Sequence, residues 1–326
     1  MFQEKMFNKI KLIVMIPAFN EEKLLSSVIQ DIPKEIEGID KIEILVINDG
    51  STDRTLEIAE KSGANYIISN NSNQGLAMTF KKGIEESLRR GADIIVNTDA
   101  DFQYNQKEIP KLIKPILEKK AEMVIGNRQV RTLKHMKFGN KYGNMIGSFL
   151  MRVLLKNRVT DASSGFRAFS RQCALRLNIL SDHTYTHETI IQCTLQKMRI
   201  IEVPVEFRKR EEGESKLVRN IWSHLKHSGA AIVRVYLMYR PLKTFLSIGI
   251  IIFFIGLFFE GRYLWFYFHG QNGGHIQSLL LGTTLIIVGF QIATMGFLAD
   301  LIDANRRIND EILYKMKKKE CEKKEN

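Results

Sequence analysis

With 326 residues the chain has the length for one large or two small folded units and for a sizeable core. Its formal net charge of +12 is the balance of a nucleic-acid binder, yet no nucleic-acid module is visible. The cations gather where the sequence turns apolar, which points to an anionic membrane surface instead. Cys173, Cys193 and Cys321 are scattered and form no C-x-x-C, which indicates a reducing compartment and no metal site of their own.

Leu12 to Ile16 is predicted as the first strand, too short an apolar run for a secretory leader. Pro17-Ala18-Phe19-Asn20-Glu21 is the loop leaving it. Leu24, Leu25, Val28, Ile29 and Ile32 then share one helical face, closed by Pro33. Ile42 to Ile47 repeats the unit. Asn48-Asp49-Gly50-Ser51-Thr52-Asp53 follows it, with Ser51 or Thr52 as a cap for a short helix through Leu56 and Ala59 that Gly63 stops. The turn explains Gly50 and Ser51, but it does not require Asp49, a carboxylate at a strand end that suits a nucleobase or ribose.

Tyr66 to Ser69 reads as a third strand. Asn73-Gln74-Gly75 leads into a helix lined by Leu76, Phe80, Ile84 and Leu88, ended by Gly91. Ile94-Ile95-Val96 is a buried strand whose carboxyl end carries Asp99-Ala100-Asp101. Ligands of open α/β sheets bind at that end of the strands. Two carboxylates one residue apart, with Gln103 beyond, are hard oxygen donors suited to Mg²⁺ or Mn²⁺ holding a diphosphate. Met123 to Ile125 is a further strand, and Arg128 beside its end is suited to phosphate oxygens. The alternation of strands and helices predicts a mostly parallel sheet covered on both faces.

A helical pattern runs from Gly139 to Asn157. Asp161-Ala162-Ser163-Ser164-Gly165-Phe166-Arg167 then reads as a polar turn entering an apolar segment. His187 and Glu188 open another helix. Ile201 to Phe207 is a strand near a sheet edge, because it contains Pro204. Arg210-Glu211-Glu212-Gly213-Glu214-Ser215-Lys216 suits a mobile loop closing on an anion. Leu217 to Tyr239 is predicted as an amphipathic helix in the headgroups; no Asp or Glu occurs between Lys216 and Glu260. Thr244 to Phe259, extendable to Phe268, and Ile276 to Leu298 form a transmembrane hairpin, and Gly249, Gly256, Gly282 and Gly289 offer a surface for self-association. Flanking cations put both termini and the soluble domain on the cytoplasmic side.

On these residues the chain resembles family 2 glycosyltransferases of the dolichol-phosphate or polyprenyl-phosphate sugar synthase group. Pro17 to Glu21 is similar to the family's P-A-[FY]-N-E, Asn48 to Thr55 to [DN]-D-G-S-x-D-x-T, and Asp99 to Gln103 to D-A-D-x-Q. Ser164 to Phe169 is similar to S-G-F-R-x-F and Arg210 to Lys216 to R-x-x-G-x-S-K. The resemblance implies a GT-A, Rossmann-like α/β catalytic domain over residues 1–216, an interfacial helix over 217–240, two membrane helices over 241–300 and a basic tail over 301–326. It implies a UDP- or GDP-linked sugar donor, a polyprenyl phosphate acceptor and a divalent metal, Mg²⁺ or Mn²⁺. Pro17, Ala18, Asn20, Glu21, Asp49 and Asp99 would hold the nucleotide, and Asp99, Asp101 and Gln103 the metal. Arg128 would face the donor phosphates, and Arg167, Arg210, Ser215 and Lys216 the acceptor. Asp101, Arg128 and Arg210 would carry catalysis.

Many inverting relatives carry a Glu-Asp pair whose Asp deprotonates a hydroxyl acceptor; near that place this chain reads His187-Glu188. For a sugar hydroxyl, loss of that base would cost about 10²- to 10⁴-fold. A lipid monophosphate needs no base, because its second pKa near 6 leaves it largely ionised at neutral pH. A processive polysaccharide synthase is disfavoured because Gln-x-x-Arg-Trp is absent, and a nicotinamide enzyme because no G-x-G-x-x-G follows a predicted strand. A non-catalytic scaffold is disfavoured by the intact Asp99, Asp101 and Arg210.

Overall fold

A computed structural model describes residues 9–130, 159–180, 185–208, 241–270 and 275–325. The strands are β1 Lys11–Ala18, β2 Lys41–Asn48, β3 Tyr66–Ser69, β4 Ile94–Asn97, β5 Met123–Asn127, β6 Arg167–Ser170 and β7 Ile200–Pro204. They form one seven-stranded sheet in the order β3-β2-β1-β4-β6-β5-β7. β3, β2, β1 and β4 run parallel, as does the β5/β7 pair, while β6 is antiparallel to both β4 and β5. The β-branched run of β1 is fully buried from Leu12 to Ile16, as expected of a strand flanked on both sides and covered on both faces.

Helices α1 Leu25–Asp31, α2 Thr55–Lys61, α3 Leu76–Arg89 and α4 Ile109–Leu117 cross between strands. Leu12, Val14 and Ile16 pack with Leu25, Val28 and Ile29 of α1 and with Leu112, Ile113 and Ile116 of α4. The opposite face takes α3, which lies so close that a Cβ on Gly83 would stand 2.9 Å from the Met15 sulfur. Each fully buried Leu or Ile contributes about 1.5–3 kcal/mol. Two short helices follow β6: α5 Arg171–Arg176 and α6 Thr186–Leu195.

Some expectations are corrected. β1 runs through Pro17 and Ala18, two residues into the expected loop; β4 pairing ends at Met15, so the missing Pro17 N–H breaks no ladder. The polar turn from Asp161 stands as expected, and the apolar segment it enters is the strand β6. Helix α2 begins at Thr55 without a side-chain cap from Ser51 or Thr52, which bond elsewhere. β7 lies at the sheet edge, as its proline suggested. The Gly139 to Asn157 helix, the interfacial helix and the Arg210 to Lys216 loop lie outside the described residues.

Two further helices are α7 Pro241–Phe268 and α8 Ile276–Glu325, each with a stretch long and apolar enough to cross a membrane. Contacts divide the chain into two compact units, with a boundary inside α8: residues up to Ile312 belong to the hairpin unit and those from Leu313 to the unit that holds the sheet. The basic tail is therefore a continuation of the helix. Within the unit that holds the sheet, its Lys317 donates to the Leu177 carbonyl at 2.9 Å, and Arg176 lies over the Tyr314 ring.

Within the hairpin, glycines let the two backbones touch. A Cβ on Gly249 would meet the Gly289 carbonyl at 2.6 Å, and one on Gly256 the Gly282 carbonyl at 2.8 Å. These glycines are thus used between α7 and α8, which corrects their expected role in self-association. Glu260, the acidic residue of the apolar stretch of α7, accepts from the Thr283 hydroxyl at 2.6 Å.

Candidate active site

β1 sits between β2 and β4, so the chain changes direction across the sheet between β1 and β4, and the crevice of such a fold opens at the carboxyl ends there. The loops after β1 and β2 are laced together. The Asn20 backbone N–H donates to Ser51 Oγ at 3.0 Å and Thr52 N–H returns a bond to Asn20 Oδ1 at 2.8 Å. Glu21 N–H donates to Thr55 Oγ1 at 2.8 Å, and Glu22 accepts from Arg54 N–H at 3.1 Å. Asn20 has a φ of 53°, a left-handed conformation that asparagine tolerates. The residues Asn20, Glu21, Ser51 and Thr55 thereby serve one local purpose: they fix two strand-end loops against each other.

Asp49 is buried at the end of this lacing. Its carboxylate accepts Asn70 Nδ2 at 2.7 Å, Gln74 N–H at 2.9 Å and Gly75 N–H at 3.0 Å, so it holds the chain entering α3. Gly50 makes this possible: with a φ of 69°, it has the Ser72 backbone where a Cβ would be, 2.5 Å away.

At the end of β4, Asp99 and Asp101 are half-buried. Gln103 N–H donates to Asp101 Oδ1 at 3.2 Å, while Phe102 between them is held at a φ of 56°, an uncommon conformation for a bulky residue and one found at functional sites. Arg208 covers the Phe102 ring at 4.8 Å, and its N–H bonds the Gln103 carbonyl. Among the described residues no cluster of three or more His, Cys, Asp or Glu forms a ready cage. Two carboxylates and an amide nevertheless fit Mg²⁺ or Mn²⁺, which take one or two carboxylates and complete their shell with phosphate and water.

The other side of the crevice is built on buried charge. Arg128 is 8% exposed and forks onto Asp161, Nε to Oδ2 at 2.9 Å and Nη2 to Oδ1 at 2.7 Å, with Nη2 also donating to Ser163 Oγ at 2.7 Å. Burial opposes the Arg128 charge, but the Tyr104 oxygen and the Asp161 carboxylate hold its pKa above the ordinary value. Glu202 of β7 accepts from the Thr160 and Asp161 N–H groups at 2.9 and 2.8 Å.

Arg167 corrects the expectation of an acceptor contact. It has no exposed surface, and its guanidinium donates to the carbonyls of Ala162, Ser164 and Thr186 and to Thr189 Oγ1, all at 2.6–2.7 Å. It alternates inward because β6 pairs on both sides, a pairing that the short sequence segment does not advertise. Burial pushes its pKa down, though arginine starts so high that it stays cationic.

Glu188 is almost buried and accepts from Leu180 N–H at 3.0 Å and Gln192 Nε2 at 3.2 Å, so it props the chain after α5. Sequence reasoning missed Asn97, Tyr104 and Glu202, which hold the 160–165 loop. It also missed that Cys173 and Cys193 are neighbours, with sulfurs 3.4 Å apart. Arg210, Ser215 and Lys216 lie outside the described residues.

Residues 13–176, half of the chain, match the profile of the family described as Glycosyl transferase family 2. The chain belongs to glycosyltransferase family 2. It is 32% identical over 217 residues to a UDP-N-acetylglucosamine–dolichyl-phosphate N-acetylglucosaminyltransferase of Methanococcus voltae, covering 59% of this chain and 84% of that one. It is 27% identical to an undecaprenyl-phosphate mannosyltransferase of Micrococcus luteus, covering 69% and 92%. Among solved structures it is similar in fold to glucosyl-3-phosphoglycerate synthase of Mycobacterium tuberculosis, in complex with Mn²⁺, UDP and product. That match has a TM-score of 0.52 at 21% identity, over 70% of this chain and 78% of that one. The fold of this family 2 enzyme is therefore GT-A, and its two long apolar helices mark it as a membrane protein.

Proposed function

We propose that this enzyme transfers a single sugar from a nucleotide donor to a polyprenyl phosphate, with inversion at the anomeric carbon. The observation that carries the reading is the Asp99/Asp101 pair on the rim of a GT-A sheet in a chain that also holds a glycine-packed membrane hairpin. Relatives named for dolichyl-phosphate and undecaprenyl-phosphate acceptors support the same acceptor class.

In this reading the rim of β1 and β2, with Pro17, Ala18, Asn20, Glu21 and Asp49, receives the nucleotide. Asp99, Asp101 and Gln103 hold Mg²⁺ or Mn²⁺, which when bound neutralises the diphosphate that departs. The solved neighbour with Mn²⁺ and UDP supports a divalent ion. Arg128 keeps its charge against Asp161 and presents the Nη1 edge to a donor phosphate. Arg210, Ser215 and Lys216 take the acceptor phosphate. That phosphate attacks in line, already ionised, and the protein supplies alignment in place of a base. The engagement of Glu188 with Leu180 and Gln192 supports the absence of a base there. Cations at Arg240 before α7 and at Lys243 in its first turn, and from Arg306 onward in α8, support a cytoplasmic placement of both hairpin ends.

The test is to incubate detergent-purified protein with Mn²⁺, a panel of UDP- and GDP-sugars and a polyprenyl phosphate, and to weigh the lipid product. One hexose or N-acetylhexosamine per prenyl phosphate is expected, with Asp101→Ala reducing the rate more than roughly 100-fold, the upper figure for losing a mere supporting partner of a metal ligand. A long polymer, or an Asp101→Ala variant with full metal-dependent activity, would overturn the assignment.

A further inference from the structure

Gly165 stands directly against the first acid of the Asp99–Asp101 pair. A Cβ on it would lie 2.8 and 2.9 Å from the two Asp99 carboxylate oxygens and 3.2 Å from their carbon. Its φ lies outside the left-handed region, so backbone freedom is not the reason for a glycine here; the absent side chain is. The residue is also clamped at both backbone groups. Its N–H donates to the Tyr104 hydroxyl at 3.0 Å, and its carbonyl accepts Asn97 Nδ2 at 2.7 Å.

Those clamps are themselves fixed. Tyr104 is 1% exposed and stacks on Phe166, with ring centroids 5.2 Å apart. Asn97 has no exposed surface and its Nδ2 also donates to Tyr185 Oη at 2.9 Å. The residue before Gly165 is held by Arg167 Nε at 2.7 Å. Groups held by several bonds have few alternative positions, although Asn97 Oδ1 has no partner among the described residues. A carboxylate resting on such a surface loses rotamers, and a metal ligand already in place binds its ion more tightly than one that must be ordered.

We infer that Gly165 is a positioning residue of the metal site: its bare Cα, clamped by Asn97 and Tyr104, seats the Asp99 carboxylate and so sets the affinity for the divalent cation. The inference rests on the donor-and-metal reading proposed above. It places in one device three parts that sequence reading kept apart: the strand-end acids, the glycine of Ser164-Gly165-Phe166-Arg167, and a tyrosine with no assigned role.

The test titrates the full-length protein in detergent with Mn²⁺, with UDP or GDP present, following the loss of the free Mn²⁺ electron-paramagnetic signal. Gly165→Ala should weaken Mn²⁺ binding about 10-fold or more while thermal unfolding stays cooperative. In an Asp99→Ala background the same change should add less than about 2-fold, because no carboxylate remains to be displaced. Unchanged Mn²⁺ affinity in Gly165→Ala, an equal loss in both backgrounds, or no Mn²⁺ binding by the unmodified protein would overturn the inference. Should Gly165→Ala fail to fold, Tyr104→Phe decides: it keeps the ring and removes the acceptor of the Gly165 N–H, so about 3-fold weaker Mn²⁺ binding is expected and wild-type affinity contradicts. Lipid glycosylation with coincident Mn²⁺ affinities would remove the seat and leave the function standing. Shifted affinities without any lipid-linked sugar would do the reverse.

Discussion

The two sides of the sheet's carboxyl rim hold their loops with different chemistry. After β1 and β2 many of the ties are short neutral side chains bonded to backbone N–H groups, such as Ser51 to Asn20 and Asn20 to Thr52, with the carboxylates of Glu22 and Asp49 accepting from N–H groups beside them. After β5 and before β6 they are arginines taken out of water, Arg128 against Asp161 and Arg167 against four oxygens. A neutral bond contributes about 0.5–1.5 kcal/mol and can be lost alone. A buried pair that loses one partner leaves an uncompensated charge, which costs about 3–5 kcal/mol. The first side can therefore vary residue by residue; the second stands or falls as a unit.

The largest effect expected is that of Asp161→Ala, which strands the Arg128 guanidinium and should lower unfolding free energy by about 3–5 kcal/mol in denaturant titration. Arg128→Met combined with Asp161→Leu should cost clearly less than the single change. A single variant as stable as the wild type would show that the pair is not buried as described.

Next comes Gly50→Ala, in which a side chain would be forced onto the Ser72 backbone at a φ of 69°. A loss on the order of 2–4 kcal/mol is expected, with weaker binding of UDP or GDP because the Asn70 to Gly75 loop must move. Smaller again is Asn20→Ala, with about 2 kcal/mol lost, half from the Thr52 bond and half from the left-handed backbone. Asn20→Gly should recover the backbone half. If the two Asn20 variants match, the left-handed conformation carries no cost.

How much of this was legible in the sequence follows from the same contrast. The strands β1, β2 and β4 are runs of β-branched residues, and the acids Asp99 and Asp101 close one of them, so site and core could be read locally. β6 could not: four residues containing an arginine become a strand only because β4 and β5 flank them. Arg128 and Asp161 meet across 33 residues and Arg167 reaches Thr189 across 22, and no local pattern announces either pairing. The glycines of the hairpin were visible as small residues, but which surface they face is a tertiary fact. The capping role expected of Ser51 falls instead to Asp53, whose Oδ1 accepts the Thr55 N–H at 3.0 Å, while the Ser51 hydroxyl accepts from Asn20 N–H.

The mildest prediction concerns acid. Glu122 has its pKa lowered by the side-chain bond from Arg199; Glu43 has its own lowered because Lys11 and Lys41 outweigh the opposing effect of burial. Carboxylates with depressed folded values contribute stability that is fully present above their ordinary value of about 4.3 and is lost as pH falls through the folded value. Unfolding free energy should therefore be flat in these groups near neutrality and decline below about pH 4. Glu43→Gln should reduce that decline, and an unchanged acid profile would remove Glu43 from its cause.

The central claim is that this crevice uses a lipid phosphate as nucleophile without a base from the protein. The most direct measurement offers the enzyme, with Mn²⁺ and its preferred sugar nucleotide, a polyprenyl phosphate and the matching polyprenol in parallel. Sugar on the phosphate alone is the predicted result. Comparable glycosylation of the alcohol would contradict it, because a hydroxyl could then be activated in a site where Glu188 is committed to Leu180 and Gln192.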